Sequence, residues 1–528
     1  MVFSNVVLSQ DLTLHITSKN DTENNFLKQI SFTKTHPSEK SIKKEIQLIS
    51  EHLKKNGYFL NSLDSIVKKQ HNHTYYYSLG KRINTAAIKF NNKLEFISTD
   101  KLSTHIATII KKLDKEGKSF STVKLKNIEI KNDTLFTELN IKQSKKRKID
   151  KVIITGYEDF SKAFLKHYLK INRTSTFNKE KLISFSRKLK SLNFINEIKP
   201  PEVLFLKDST FLYLYLKKRK NNSFDGLVNF ASKENGGVLF NGYLDLKLNN
   251  IFNSGEQFKL FWNNIAEESQ EFNISTTLPY IFNSVITPQL SFKLYKQDSA
   301  FINSKLKTSL NYNLNEKTTI GLTYDSENSE NLIKSNINNI KSFNASFWGI
   351  QFNYSIIKND LFNNSKFNLT IKTSFGNRKS ENKNSKQIKI TSNISYLFEI
   401  NQRNYFYASN STGHINSDLF LDNELFRIGG ANSIKGFNEQ SIFTSFYTYF
   451  NFEYRFLLSN SSYIHTITDF GKIKNTSLIF NNLLGFGAGY LTTLNNSTIN
   501  ISYVLGKTTN SSIKLNNSKI IVKWTLLF

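Results

Sequence analysis

The chain has no cysteine, one methionine and five prolines in 528 residues. Without cysteine there is neither a disulfide scaffold nor a thiolate metal site. No run of about 18 apolar residues occurs, so no membrane-spanning helix is expected. Motifs of common enzyme chemistry are also missing. There is no phosphate-binding glycine loop, no GxSxG nucleophile turn and no HExxH pair. Carboxylates are scattered rather than paired, so neither an enzymatic activity nor a cofactor is expected. His71 and His73 stand two apart on a strand without a third ligand nearby, and no metal is expected there.

Lysine and arginine number 71 against 42 acids, a formal net charge of +29. A basic chain directs attention to nucleic acid. Here the lysines stand singly among asparagine and serine and gather on no one face, so nucleic acid is not an expected partner. Aromatic residues are plentiful, with 45 Phe, 23 Tyr and 3 Trp.

Residues 1–22 read as a signal remnant or a disordered start, a short apolar core without a positive n-region before it. From there to 220 the pattern is a helix followed by two extended stretches, repeated. Ile42, Ile46, Ile49 and Leu53 share one helical stripe ahead of Gly57. Leu102, Ile106, Ile109 and Leu113 form a second, ahead of Gly117. Leu182, Phe185, Leu189 and Leu192 form a third. A helix laid on a short sheet is a small α+β module. Its repetition points to a string of like modules, at 23–90, 91–146 and 147–220.

After 221 the helical period disappears. Segments of roughly ten residues alternate apolar and polar side chains between Asn/Ser/Lys/Gly turns. In 366–375, for example, Phe367, Leu369, Ile371 and Phe375 oppose Lys366, Asn368, Thr370, Lys372 and Ser374. In 238–249, Leu244, Leu246 and Leu248 oppose Asp245, Lys247 and Asn249. The spacing gives about sixteen strands in 221–528, an even number as in outer-membrane barrels. Lipid offers backbone groups no partner, so strands span it only as a closed sheet. The expected fold class is α+β modules followed by an all-β membrane barrel of about 16 antiparallel strands. The final strand alternates Val522, Trp524, Leu526 and Phe528 with Lys523, Thr525 and Leu527, and ends on an aromatic. The basic runs 145–148 and 217–220 fall at module junctions and read first as solvated linkers; for 217–220, just before the first barrel strand, the alternative is contact with anionic headgroups.

One stretch interrupts the strands. Residues 427–437 read RIGGANSIKGF and combine Arg427, Gly429, Gly430, Ile434, Lys435, Gly436 and Phe437. In 442–456, which follows, Tyr449, Asn451, Glu453 and Arg455 alternate with Phe450, Phe452, Tyr454 and Phe456. Strand periodicity alone turns Glu453 inward.

Several motifs resemble a known family. Ile153, Ile154, Thr155 and Gly156, then Phe177 and Asn178 entering a helix, then Leu189, Phe194 and Pro201 to Val203, are similar to a POTRA domain. This is the periplasmic module of the BamA/TamA outer-membrane assembly family. Ile434, Lys435, Gly436 and Phe437 resemble that family's lumen-loop tip, V/I-R-G-F/Y, with lysine in place of arginine. Asp469, Phe470 and Gly471 resemble its Asp-x-Gly strand end, and Phe528 its terminal aromatic targeting signal. Leu278, Pro279 and Tyr280 resemble a proline–aromatic strand end of relatives. The resemblance covers 148–528 closely and 23–147 loosely.

The resemblance implies a bacterial outer-membrane protein with its POTRA modules in the periplasm. It implies that Lys435 meets Glu453 and Asp469 on the lumen wall, with a looser hold than the planar fork of arginine gives. The implied function is assembly. Unfolded outer-membrane protein clients would be held on the modules by edge-strand addition and templated at the barrel seam. Outer-membrane lipids and accessory periplasmic or lipoprotein subunits are the other implied partners. The alternative within the superfamily is a two-partner-secretion-type polypeptide exporter. Such exporters usually carry two POTRA modules and a plug helix, whereas three modules and no clear plug are read here.

Overall fold

The computed structural model describes residues 11–528 apart from 173, 233–237, 266–268, 334–338, 359–361, 363–364, 382, 475–478, 509–514 and 516–517; in 227–241 and 265 only the backbone is described. The chain forms two compact units. The first two modules, with Arg173–Leu182 and Phe205–Thr210, make one; the rest of the third module and the barrel make the other.

In the first module Leu12–Ser18 runs parallel to Asn72–Ser78 inside a four-stranded sheet. Residues 12–22 are therefore ordered strand and helix rather than a disordered start, because Leu14 is needed in the core beneath the helix Glu39–Lys55. The signal remnant read in residues 1–10 lies outside the described residues. That helix begins where the Ser38 side chain accepts from Ser41 N, and it buries Ile42, Ile49 and Leu53 against Tyr75 and Tyr77.

The second module repeats the plan. Its sheet begins at Thr85–Phe90, which lies parallel to Thr134–Lys142, so this module starts before 91. The strand is short and its buried positions include Ala86 and Ala87, small residues that leave a faint periodic signal. Helix Leu102–Lys115 packs on it through Leu102. The third module has a three-stranded sheet of Lys151–Thr155, Ile195–Phe205 and Thr210–Lys218, with helices Lys162–Tyr168 and Lys179–Lys190.

The remainder is a closed barrel of sixteen strands, from Ser223–Ser232 to Lys519–Leu527, with every neighbouring pair antiparallel. Side chains alternate between lumen and lipid. In strand Phe343–Ile357, Phe347 is 1% exposed and its neighbour Trp348 is 68% exposed. The seam is short. Among the described residues, first and last strands pair only at Ser223 with Leu527 and Phe224 with Leu526, and the Asn222 and Phe528 main chains bond reciprocally. The single strand expected over 442–456 is broken. Ile442–Thr444 pairs with Phe426–Ile428, and the barrel strand runs Phe446–Ser459. The break falls at Ser445: up to Thr444 the loop's two arms pair with each other, and Ser445 itself accepts from the Ile415 amide and donates to Lys474 O of the flanking barrel strands.

Candidate functional site

Between barrel strands eleven, Asn404–Asn416, and twelve, Phe446–Ser459, the chain folds into the lumen. The loop shapes itself first. Gly429, Gly430 and Gly436 all have left-handed φ angles of 111°, 94° and 92°, which side chains rarely adopt. The amide of Gly429 donates to Ser433 Oγ at 2.7 Å, and that of Ala431 to Glu439 Oε2 at 3.0 Å. Ile434 is fully buried, clustered with Ile428, Tyr449, Ile473 and Leu483, and Phe437 packs against this cluster.

The tip then lies along a row of the wall. Asn451, Asp469, Gly485 and Gly506 are register partners across four successive strands. Asn451 Nδ2 donates to Ser433 O at 2.8 Å. The Lys435 amide donates to Asp469 Oδ2 at 2.7 Å. A Cβ on Gly485 would collide with Lys435 O, and one on Gly506 with Gly436 O. The wall has glycine where the loop backbone touches it, which is one use of glycine inside a strand.

The charges at the tip are shared. Lys435 Nζ is 3.6 Å from Glu453 Oε1 and 3.9 Å from Asp469 Oδ1. Glu453 has a closer cation in Arg455, whose Nη2 and Nε lie 2.8 and 3.0 Å from Oε2. The acids expected beside Lys435 are there, but the shorter bond to each comes from another group: Arg455 to Glu453, and the Lys435 amide to Asp469. Strand phase identified Glu453; it carried no sign that Arg455, on the same lumenal face, would compete for it.

A second anchor lies upstream in the loop, at residues that neither a motif nor a periodicity marks. Arg378 pairs with Glu424 in a contact where both side chains are almost wholly buried. Glu424 also accepts from Gln387 Nε2 at 2.9 Å and from the Leu421 amide at 2.9 Å. Asn423 reaches Ser329 Oγ at 2.6 Å and Lys341 O at 2.8 Å. Arg427 does not meet the tip acids. Its guanidinium sits 3.5 Å above the Tyr295 ring, a cation–π contact.

The loop leaves a cavity of about 490 Å³ on one side and one of about 440 Å³ on the other, with Asn432 and Ser433 lining both. The larger is basic. Lys293 and Lys305 are cross-strand partners, a repulsive pairing relieved by Glu271, 2.6 Å from Lys293, and by Glu327, which contacts Lys305 and lies 2.8 Å from Lys389. These charged walls suit a water-filled passage.

The other singled-out residues are dispersed. Val522 and Trp524 are exposed on the outer face of the last strand, with Leu526 half-buried and Phe528 exposed at its end. His73 is buried in its strand while His71 precedes it, and no group of three metal-ligating side chains occurs among the described residues. Lys218, in the second basic run, donates to Asn253 Oδ1 of a barrel turn at 3.1 Å.

Closed barrel, inward loop and serial α+β modules together define an outer-membrane barrel with a periplasmic POTRA-like region. A sequence model described as haemolysin secretion/activation protein ShlB/FhaC/HecB matches residues 241–491. CdiB from Escherichia coli is similar at 12% identity over 100% of this chain and 92% of that one, TM-score 0.54. CdiB from Acinetobacter baumannii is similar at 15% identity over 98% and 90%, TM-score 0.54. BamA from Haemophilus ducreyi lacking POTRA domains 1–3 aligns at 13% identity over 80% and 94%, TM-score 0.48. A search of curated proteins finds no significant match. The family model covers a little under half of the chain, and the likeness to the two CdiB structures is one of fold.

Proposed function

We propose that the protein exports a partner polypeptide across the outer membrane through its barrel. The observation that carries this reading is the match of 241–491, spanning most of the barrel, to a secretion/activation family. The lumen supports it physically. It holds two cavities beside a loop whose grip is a set of individually modest hydrogen bonds and shared ion pairs, the kind of contact that a transiting chain can displace. In this reading the three modules receive the unfolded partner by strand addition, and Lys435, Glu453 and Asp469 hold the loop tip in the resting state.

Assembly of outer-membrane clients at the seam is the second reading. It is favoured by the seam of two residue pairs and by the three modules. Depletion of the protein, followed by profiling of both secreted and outer-membrane proteins, separates the two. Export predicts loss of one or a few secreted polypeptides with the outer-membrane profile intact. Broad loss of outer-membrane barrels would instead establish assembly.

A further inference from the structure

The third module meets the periplasmic rim of the barrel around a cavity of about 250 Å³. Three lysines line it. Lys166 and Lys170 come from the helix Lys162–Tyr168 and the residues just after it, and Lys188 from the helix Lys179–Lys190. Glu316 is the one carboxylate among the lining residues. Lys170 Nζ is committed to Leu314 O at 2.7 Å, which ties the module to a barrel turn. Among the described residues neither Lys166 nor Lys188 has a carboxylate within ion-pair distance. Burial lowers the Lys188 ammonium below its ordinary value; Glu316 offsets this in part, and the nearby cations Lys170 and Arg187 add to it.

The opposite wall is built for lipid. Tyr312 lies on the outward face of its strand: Leu310 and Tyr312 are 52% and 41% exposed, whereas Asn311 between them is 6% exposed. Val285 continues this exposed apolar surface at the rim. The turn just before Val285 is strained in a directed way. Tyr280, Phe282 and Asn283 adopt left-handed φ angles of 55°, 52° and 57°, which is costly for aromatic residues. The strain turns Tyr280 inward onto Phe164 and His167, with ring centroids 5.3 and 5.4 Å away, and leaves Phe282 93% exposed. His167 Nε2 holds the turn through Asn283 Oδ1 at 2.8 Å. Exposed aromatics at a barrel rim are the ordinary anchors of the membrane interface.

We infer that this cavity is a binding site for an anionic phospholipid of the periplasmic leaflet. Its phosphate sits among Lys166, Lys170 and Lys188, and its acyl chains run along Tyr312 and Val285. The lysines supply charge complementarity, the outward apolar wall is continuous with the lipid-facing barrel, and Phe282 fixes the rim at headgroup depth. A bound phosphate restores the charge balance that Glu316 alone does not provide. The site also couples the module to the bilayer, since its walls come from both.

The test uses the purified, delipidated full-length protein in detergent. Binding of phosphatidylglycerol, phosphatidylcholine and inorganic phosphate is read by native mass spectrometry. Phosphatidylglycerol is expected to be retained in preference to phosphatidylcholine, with inorganic phosphate a poor competitor. Each lysine near a membrane surface is worth roughly a fivefold change. Lys166→Gln is therefore expected to weaken retention by about that factor, and Lys166→Gln with Lys188→Gln by more. Lys166 is exposed, so its variant keeps the fold, checked by heat-modifiable gel migration. Unchanged phosphatidylglycerol retention in the folded double variant overturns the proposal. So does inorganic phosphate that binds alone and displaces the lipid, which would make the site one for free phosphate.

Discussion

Asp469 holds the main chain of Lys435 more closely than it holds its side chain: Oδ2 is 2.7 Å from the amide nitrogen, and Oδ1 is 3.9 Å from Nζ. The Asp469 side chain is almost completely buried, and its carboxylate draws its partners from this loop and from Asn451 on the neighbouring strand.

That ordering predicts unequal effects. Asp469→Ala removes a charge-assisted bond to the loop backbone, worth about 1.5–3 kcal/mol. Lys435→Gln removes a longer, shared contact and leaves Glu453 paired with Arg455, a loss of about 1 kcal/mol or less. Lys435→Glu puts a third carboxylate beside two others and is expected to undock the tip. Protease accessibility of the loop in whole cells should rank the variants Lys435→Gln, then Asp469→Ala, then Lys435→Glu. Equal accessibility of all three would remove the role assigned to Asp469.

The glycine row predicts a steric effect independent of charge. In Gly436→Ala the new Cβ lies 2.7 Å from Gly506 N and from Leu505 C, at a φ that alanine resists. Gly485→Val meets Lys435 O directly. Both substitutions should displace the tip while leaving the barrel folded, seen as normal heat-modifiable migration with raised single-channel conductance. Parental conductance in Gly485→Val would show that the tip does not occlude the lumen.

The upstream anchor predicts a larger stability change. Arg378→Ala leaves Glu424 buried without its cation, at a cost of about 3–5 kcal/mol. Arg378→Met combined with Glu424→Leu removes both charges and should recover most of that loss. Thermal unfolding of the three proteins checks this double-mutant relationship.

Acid sensitivity is expected at the turn following the second barrel strand. Burial alone would raise the Glu256 carboxyl, but bonds from the Ser254 hydroxyl and the amides of Phe252 and Ser254 outweigh it and hold the carboxyl below its ordinary range. A depressed carboxylate contributes stability above its unfolded-state value and loses it as pH falls through the folded one. Glu256→Gln should therefore cost about 1–3 kcal/mol at pH 7 and nearly nothing in strong acid. A deficit that persists undiminished in acid would contradict this account.

The seam separates the two functional readings. Ser223 and Leu527 are register partners in a chain that has no cysteine, so Ser223→Cys with Leu527→Cys would make its sole disulfide. Export through the lumen predicts that the oxidised protein still secretes its partner. Seam templating predicts arrest on oxidation and recovery on reduction.

What was legible in the sequence is what periodicity encodes. Period-two alternation counted the sixteen strands because lipid and lumen demand opposite side chains at successive positions. The same phase turned Glu453 inward, and the glycines of 427–437 marked a turn that needs left-handed backbone. Pairings between distant segments were not legible. Arg378 and Glu424 meet only because the barrel brings strand nine beneath the loop, and neither residue differs locally from other charges in the chain. Gly485 and Gly506 carried a faint signal as glycines inside strands, but their shared row depends on register, which no local pattern fixed. The parallel strand Thr85–Phe90 was missed because its buried alanines do not stand out as an apolar face.

The central claim is that a polypeptide passes through the lumen and that the loop must leave its row for this to happen. Ser433 and Asn451 touch across that contact, with Asn451 Nδ2 2.8 Å from Ser433 O. A short thiol-specific cross-linker joining Ser433→Cys to Asn451→Cys would pin the tip. The direct measurement is secretion, with and without the cross-link, of the polypeptide that disappears when the protein is depleted. The account predicts that secretion stops in the cross-linked protein and continues in the same variant left unlinked. Undiminished secretion from fully cross-linked protein would contradict it.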